Sequence, residues 1–342
     1  MELSVVIIAA GEGTRMRSAL PKVLHPLCGR PMLGHVLALA DALAPGRTAV
    51  VLSPQTVERV RAAFGERYSY VAQAERLGTG HAVLQARETL RGAGGQVLVL
   101  FGDTPLVRVQ TAQTLLEERH AARAPVGLLS FQSDPPTGYG RIIRAADGRV
   151  VALVEERDAT PEQRAITEVN SGVMCFDAGW LWEHIDQIPL NPHKREYYLT
   201  DLVGMAVAKR GPGAAVAVQA ADPTEAWGVN DRALLAQAEQ ELRRRINGAL
   251  MAAGVTLVDP ACTYVDADAS VGQDTTLLPG TVLRGRTRVG AGCTIGPHAE
   301  LVDATVGDRA SVSFAVVEQS EIAAGARIGP FEHISNGRKL RG

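Results

Sequence analysis

From residue 265 onward an aliphatic side chain returns at every sixth position. Val265, Val271, Leu277, Leu283, Val289, Ile295 and Leu301 belong to one unbroken frame. If about a quarter of residues are Val, Ile or Leu, seven in succession arise by chance roughly once in 16,000 trials per frame. The register then slips by one, with Val306 and Val312 in phase with each other, and resumes at Ile322, Ile328 and Ile334. Glycine often follows the aliphatic, as at Gly272, Gly290, Gly296, Gly307 and Gly329. This is the hexapeptide signature of a parallel β-helix, in which the aliphatics point inward and small residues permit the corners. A solenoid this short has few stacked neighbours, so support from the rest of the chain or from other subunits is expected.

Before residue 231 the pattern is different. Short apolar runs (residues 3–10, 48–53, 96–102 and 126–131) alternate with amphipathic stretches (32–43, 54–64, 80–91 and 110–123). Buried strands alternating with helices predict an α/β domain built on a mainly parallel sheet with helices on both faces. The 342-residue length also favours two domains over one. The expected division is 1–230 for the α/β domain, 231–253 for a linker helix, 254–337 for the β-helix and 338–342 for a polar tail. Arg243–Arg245 near the end of that helix reads either as a phosphate patch or as cations complementing the helix dipole.

Composition narrows the function. The formal charge of −2 lacks the basic footprint of a protein that works on nucleic acid. Four scattered cysteines form no CxxC pair, which argues against zinc and dithiol chemistry and fits a reducing compartment. Apolar runs fall short of a membrane span, and Met1-Glu2-Leu3 has no basic segment typical of secretion. A soluble cytoplasmic protein with no membrane partner is the expectation. Glycine is abundant at 35 residues, while aromatics are scarce at 4%.

In a parallel sheet ligands bind where strands end. The run 3–10 passes straight into Gly11-Glu12-Gly13-Thr14-Arg15-Met16, followed by Pro21-Lys22. A strand entering a glycine loop can aim backbone N–H groups at phosphate. Neither common phosphate loop fits. The dinucleotide fingerprint needs Gly where Met16 stands and an acid where Ser53 stands, and a Walker loop needs a closing Gly-Lys-Ser/Thr. Two separated cations, Arg15 and Lys22, instead suit a triphosphate with a pyrophosphate leaving group. Asp103, at the end of run 96–102, reads equally as a Mg²⁺ ligand or as a cap for the following helix. His25, His35 and His81 read as packing or capping residues, and Trp180 and Trp182 as core.

Ala9-Ala-Gly-Glu-Gly-Thr-Arg-Met with Leu20-Pro-Lys-Val-Leu-His resembles the bacterial bifunctional N-acetylglucosamine-1-phosphate uridylyltransferase/glucosamine-1-phosphate acetyltransferase family. Further segments match in order: Gln73 with Leu77-Gly-Thr-Gly-His-Ala, Gly102-Asp-Thr-Pro-Leu, Gly138-Tyr-Gly-Arg-Ile, Val154-Glu, Glu168-Val-Asn-Ser-Gly, Glu196-Tyr-Tyr-Leu-Thr-Asp and Gly228-Val-Asn-Asp-Arg. With the hexapeptide half they cover nearly the whole chain. Sugar-nucleotide thymidylyltransferases share the loop but usually carry Gly-Gly where Ala9-Ala10 stand.

The resemblance implies a Rossmann-like nucleotidyltransferase domain and a short left-handed β-helix with three hexapeptides per coil, about four coils between Val265 and Ile334. It implies UTP and N-acetylglucosamine 1-phosphate as substrates, Mg²⁺ as cofactor, and products that serve as cell-wall precursors. By the same resemblance Arg15 and Lys22 are the catalytic phosphate-binding cations, and Asp103 and Asn230 the metal ligands. Ala10, Gly11, Gly13, Gln73, Gly78 and Thr79 would bind the nucleotide, and Gly140, Glu155, Asn170 and Thr200 the sugar. In-line attack on the α-phosphorus needs no protein nucleophile, since charge neutralisation and alignment supply most of the acceleration. A dTTP/glucose 1-phosphate enzyme and a non-catalytic sugar-nucleotide sensor remain the alternatives.

The chain departs from the family after Ile328-Gly-Pro-Phe, where a basic stretch ending Arg-Pro-Gly usually stands. Ser335 takes the place of an acetyltransferase arginine, and the segment bearing the histidine base is lacking. A short form without acetyltransferase activity is the expectation; the replaced motif favours a natural short form, with a truncation left open. The family trimerises through the flat faces of the β-helix, and a shortened helix leaves a homotrimer, a weaker trimer and a monomer open.

Overall fold

A computed structural model describes residues 2–335, 337, 339 and 340; of the tail expected over 338–342, residues 338, 341 and 342 lie outside the described residues. The chain divides into two compact units, residues 1–25 with 32–232, and residues 26–31 with 233–342.

The first unit is an α/β domain around one nine-stranded sheet. Its strands are β1 Leu3–Ala9, β2 Arg47–Leu52, β3 Ser69–Ala72, β4 Gln96–Phe101, β5 Val126–Gln132, β6 Arg141–Arg144, β7 Val150–Val154, β8 Glu168–Asp177 and β9 Ala215–Gln219. The main path runs β9-β5-β8-β4-β1-β2-β3, with β6 joining β8 to β7 off that path. Strand β1 lies parallel between β2 and β4, and β2 is parallel to β3. The sheet is mixed because β8 runs antiparallel to β4 and β5. Val5, Val6 and Ile7 of β1 are all fully buried, as both faces of a helix-covered sheet require.

The helices of this unit are α1 Met32–Ala42, α2 Pro54–Phe64, α3 Thr79–Gln85, α4 Val109–Ala121, α5 Pro161–Arg164, α6 Ala178–His184 and α7 Asp201–Arg210. The helix expected over 80–91 ends early, at Gln85. Beyond it Ala86 N donates to Val83 O and Leu90 N is shared between Ala86 and Arg87 carbonyls, so the chain continues as tight turns. Arg87 is held there by Trp182 O at 3.1 Å and Asp186 at 2.6 Å, tertiary anchors that local periodicity does not register. Trp180 is core, stacked on His184 with ring centroids 4.6 Å apart.

In the second unit, helix α8 Arg232–Ala252 leads into three parallel sheets of five strands each, the three faces of a left-handed β-helix. The arginine run is engaged by its own unit: Arg244 and Arg245 pair with Glu241 at 2.7 and 2.8 Å, and Arg243 lies over the Tyr264 ring. Residues 26–31 form a hairpin that belongs here, with Cys28 N donating to Glu239 at 2.7 Å and Arg30 pairing with Asp268.

Pairing explains the slip in the repeat. Leu277 pairs with Ile295, eighteen positions on, Val289 with Val306, seventeen on, and Val306 with Ile322, sixteen on. Three turns are each one residue short, and each holds a non-glycine residue in left-handed backbone: Asp303, Phe314 and Gln319, at φ 48°, 45° and 46°. Val317, absent from the six-residue frame, is nevertheless fully buried and pairs with Leu301 and Ile334. A second inward column stands two positions before the aliphatics. Thr275, Thr281 and Thr287 are fully buried and donate to the carbonyls of Gly290, Ile295 and Leu301 on the next coil, at 2.8, 3.0 and 3.2 Å.

Leu283 sits mid-stack and fully buried, paired with Val265 and Leu301. Leu283→Ala is expected to cost about 2–5 kcal/mol in the denaturation of this unit, because flanking coils fixed by backbone hydrogen bonds cannot collapse into the void. Urea titration followed by circular dichroism measures it, and a loss below about 1 kcal/mol contradicts the packing.

Candidate active site

The parallel strands of the first unit end along one edge, and the candidate residues follow them there. Strand β1 delivers Ala10 and Gly11, β3 delivers Gln73, and β4 delivers Asp103 two residues past its end. Gln73 N continues the ladder by donating to Leu52 O at 2.8 Å. A cavity of about 280 Å³ opens at this edge, lined among others by Ala10, Gly11, Lys22, Gln73, Gly78, Thr79 and Asp103.

Two glycines of the loop are needed for different reasons. Gly13 takes φ +64°, and a Cβ there would stand 2.5 Å from Lys22 Cβ, so only glycine lets the loop close over that lysine. Around Gly11 a Cβ would meet nothing within 4 Å. The chain's own packing does not demand glycine there, which suits a backbone kept clear for a ligand.

Lys22 opens a short 3-10 turn and is 8% exposed. Its Nζ donates to Asp103 Oδ2 at 2.5 Å and to Asn230 Oδ1 at 3.1 Å. Val229 N bonds Asp103 O at 2.8 Å, which carries Asn230 to the site. The capping alternative for Asp103 does not hold: helix α4 starts at Val109, behind Arg108, and the Asp103 carboxylate is turned to Lys22.

A carboxylate and an amide oxygen converging on one point are hard donors of the kind Mg²⁺ prefers. Among the described residues no group of three or more His, Cys, Asp or Glu is assembled for a metal. A cation held by Asp103 and Asn230 would therefore complete its shell from phosphate and water, as Mg²⁺ commonly does in nucleotide sites. Arg15, by contrast, is exposed on the turn Thr14–Met16 and does not line the cavity.

Gly78 and Thr79 are placed by the 196–199 segment. Tyr197 N donates to Leu77 O at 2.7 Å, Gly80 N to Tyr197 O at 2.8 Å, and Leu199 N to Thr79 Oγ1 at 3.0 Å. At φ +96° a Cβ on Gly78 would lie 2.6 Å from Tyr197 O, so this close approach requires glycine.

Tyr198 also lines a second cavity, of about 440 Å³, together with Gly138, Glu155, Asp158, His193 and Lys194. Of the four residues expected at the sugar, Glu155 lines it directly. Thr200 Oγ1 donates to Glu155 at 3.2 Å, Asn170 N donates to Gly140 O at 2.9 Å, and Asn170 Oδ1 accepts from Gly172 N at 3.1 Å. The two bonded pairs lie side by side, since a Cβ on Gly140 would stand 3.6 Å from the Glu155 carboxyl.

Burial raises the Glu155 carboxyl above its ordinary value, partly offset by the Thr200 hydroxyl. Burial, then the negative charges of Glu155 and Asp158, push Asp201 up to about 6. Burial, then Arg232, lowers His25, which keeps that imidazole neutral and unsuited to an acid's role.

Sequence reasoning missed Arg76, which lines the first cavity and pairs with Glu12 of the glycine loop, and gave no role to Tyr198. Arg76 lies beside the matched segment 77–82, and nothing in its spacing distinguishes it from a surface arginine.

A phosphate-ready loop, a buried lysine, paired hard oxygens and a neighbouring polar pocket define a nucleotidyltransferase site. Residues 5–185 match the MobA-like NTP transferase domain family. The chain is 45% identical to the Bifunctional protein GlmU of Halalkalibacterium halodurans, over 96% of its own length and 72% of the relative's. It is 46% identical to that of Trichlorobacter lovleyi over 99% and 74%, and 44% identical to that of Geobacillus thermodenitrificans over 96% and 71%. The chain belongs to the GlmU family. Its activity class is sugar-1-phosphate uridylyl transfer, on nucleotide and sugar-phosphate substrates. Among the described residues no helix is long and apolar enough to cross a membrane.

Asp201 offers a test of the electrostatics. Its folded value, about 6 against an ordinary 3.8, means the folded chain keeps a proton that the unfolded chain has lost between these limits. Its stabilising contribution is present below pH 4 and is lost as pH rises through 6. Asp201→Asn should accordingly gain stability relative to the parent above pH 6, of order 1 kcal/mol after solvent screening, with the gain vanishing below pH 4. Thermal melts at pH 4 and 7.5 compare them, and an equal difference at both contradicts the assignment.

Proposed function

We propose that this chain makes UDP-N-acetylglucosamine and pyrophosphate from UTP and N-acetylglucosamine 1-phosphate. The observation that carries the reading is Lys22, buried, bonded to Asp103 and Asn230, and lining a cavity together with Asp103, Gln73, Gly78 and Thr79. An oxygen of the sugar phosphate attacks the α-phosphorus, the α–β phosphoanhydride bond breaks, and pyrophosphate leaves with the electron pair. No proton has to be removed from the nucleophile, because a phosphate oxygen is already anionic at neutral pH.

The chain's work is therefore alignment and charge. Ala10, Gly11 and Gly13 cradle the nucleotide by backbone, while Gln73, Gly78 and Thr79 hold uracil. Gly140, Glu155, Asn170 and Thr200 orient the sugar; the Glu155 carboxylate accepts from hydroxyls, and the Asn170 amide reaches the acetamido group. Lys22 neutralises the reacting phosphoryl oxygens. Arg15, exposed in the free chain, is assigned to the β- and γ-phosphates beyond the cavity wall. Mg²⁺, held by Asp103 and Asn230, supplies further neutralisation of phosphate charge when bound. The protein is placed in the cytoplasm, where both substrates occur, and a homotrimer through the β-helix faces is its proposed assembly. The proposed division of labour follows residues 1–230, 231–253, 254–337 and 338–342.

Lys22→Ala and Asp103→Ala are each expected to lower turnover by about 10²–10⁴-fold while leaving the fold intact, as loss of transition-state charge stabilisation does. Pyrophosphate release with UTP, N-acetylglucosamine 1-phosphate and Mg²⁺ is the measurement. Near-parental rates in either variant contradict the mechanism, no activity in the parent supports the sensor alternative, and faster turnover of dTTP with glucose 1-phosphate supports the thymidylyl alternative.

We further propose that the 342-residue chain does not transfer acetyl groups. Ser335 stands where the family pattern places a site arginine, and a hydroxyl cannot replace a guanidinium on an anionic substrate. With acetyl-CoA and glucosamine 1-phosphate, thiol release should stay at the level of the protein-free control; release above it overturns the proposal.

A further inference from the structure

His81 sits in the first turns of α3, behind the nucleotide cavity, and both its ring nitrogens are engaged. Gln73 Nε2 lies 3.0 Å from Nδ1, and the Gln85 amide lies 3.1 Å from Nε2. A neutral imidazole has one bare nitrogen and one N–H, so one amide must offer its NH₂ and the other its oxygen. Gln73 decides which. It is 4% exposed, and its Nε2 also lies 3.2 Å from Gly78 O, a carbonyl that can only accept. The Gln73 NH₂ is thereby committed to two acceptors, Gly78 O and a bare Nδ1. The ring proton then belongs on Nε2. The half-buried Gln85 amide must then turn its oxygen to Nε2, giving up the 3.3 Å bond that its Nε2 donates to His81 O.

Both hydrogens of the Gln73 amide being used, the group that remains for the cavity it lines is its carbonyl oxygen. A fixed acceptor distinguishes pyrimidines. Uracil presents N3–H and can donate to it; cytosine presents a bare N3 lone pair, which repels it. Without His81 the amide can rotate and offer NH₂ instead, which suits cytosine.

We infer that His81, backed by Gln85, is a positioning residue that locks the Gln73 amide with its oxygen toward the base and so sets the preference for uracil over cytosine nucleotides. The inference rests on the uridylyltransferase reading above, in which Gln73 contacts the base. His81 itself touches neither substrate nor the reacting atoms.

The test compares UTP with CTP in the full chain, by steady-state kinetics and by equilibrium binding without sugar phosphate. In His81→Leu the ratio of kcat/KM for UTP over CTP should fall by about 10–100-fold, the range set by one misdirected buried hydrogen bond. The fall should reside in nucleotide KM, with kcat for UTP within about 3-fold of the parent and KM for the sugar phosphate unmoved. His81→Asn keeps an acceptor near the Nδ1 position and should restore the ratio to within about 3-fold of the parent, whereas Gln85→Leu should lower it by about 3–10-fold. An unchanged ratio in folded His81→Leu, or equal losses for UTP and CTP, overturns the inference. Should His81→Leu not fold, an unchanged ratio in Gln85→Leu overturns it instead. A parent that binds UTP over CTP but forms no product refutes the proposed reaction alone, and the binding ratios still decide the role of His81.

Discussion

A single ammonium group organises the catalytic unit. Lys22 Nζ is bonded to Asp103 and Asn230, 81 and 208 positions away in the chain. A lysine this buried is tolerable only because a carboxylate and an amide oxygen satisfy it. Meeting that demand draws together the glycine loop, the end of β4 and the segment that precedes α8. Gly13 must be glycine because the loop closes against this side chain, and Val229 must bond Asp103 O for Asn230 to arrive. Loop geometry, strand end and late segment are consequences of one buried charge and its partners.

On the proposed reaction the two cavities would follow the division of the substrates. In the first cavity Ala9, Ala10, Gly11, Gly78 and Ala82 leave open wall beside Lys22, Gln73 and Arg76, which on the proposed reaction would accept a flat base and a phosphate chain. At the other end Glu155, Asp158 and Lys194 surround a more polar space, and burial, with neighbouring carboxylates adding to it, raises Glu155 and Asp201. Tyr198 belongs to both linings, so the 196–201 segment, whose backbone also seats Gly78 and Thr79, couples the two halves of the site.

Much of this was legible in the sequence because short-range physics writes it there. The apolar run of β1 followed by glycines announces a strand and its loop, and six-residue periodicity announces a solenoid. What was not legible depends on distant partners. Asp103 is locally as good a helix cap as an ion-pair partner, and only the arrival of Lys22 distinguishes the two. Val317 fell outside the frame because two turns around it each lack a residue, and the buried threonine column was invisible because threonine is equally at home on a surface. Arg76 and Gln85 carry no local mark of function. One acquires its place from an ion pair with Glu12, the other from an imidazole one helical turn away.

The charges of the free site also constrain how a nucleotide enters it. Both cations lining the first cavity are neutralised by acids, Arg76 by Glu12 and Lys22 by Asp103. The first pair is half exposed on both sides, and such solvent-screened pairs are weak, so a polyphosphate can displace Glu12 with little penalty. The second pair is largely buried, and stripping Asp103 of its partner would leave an uncompensated carboxylate at a cost of about 3–5 kcal/mol. Lys22 can therefore turn wholly to phosphate only if Asp103 gains another positive partner at the same moment. The Asp103 and Asn230 oxygens that Lys22 would release provide the place for it. On the proposed reaction, nucleotide and divalent cation would enter together, because neither alone balances the charge that the other disturbs.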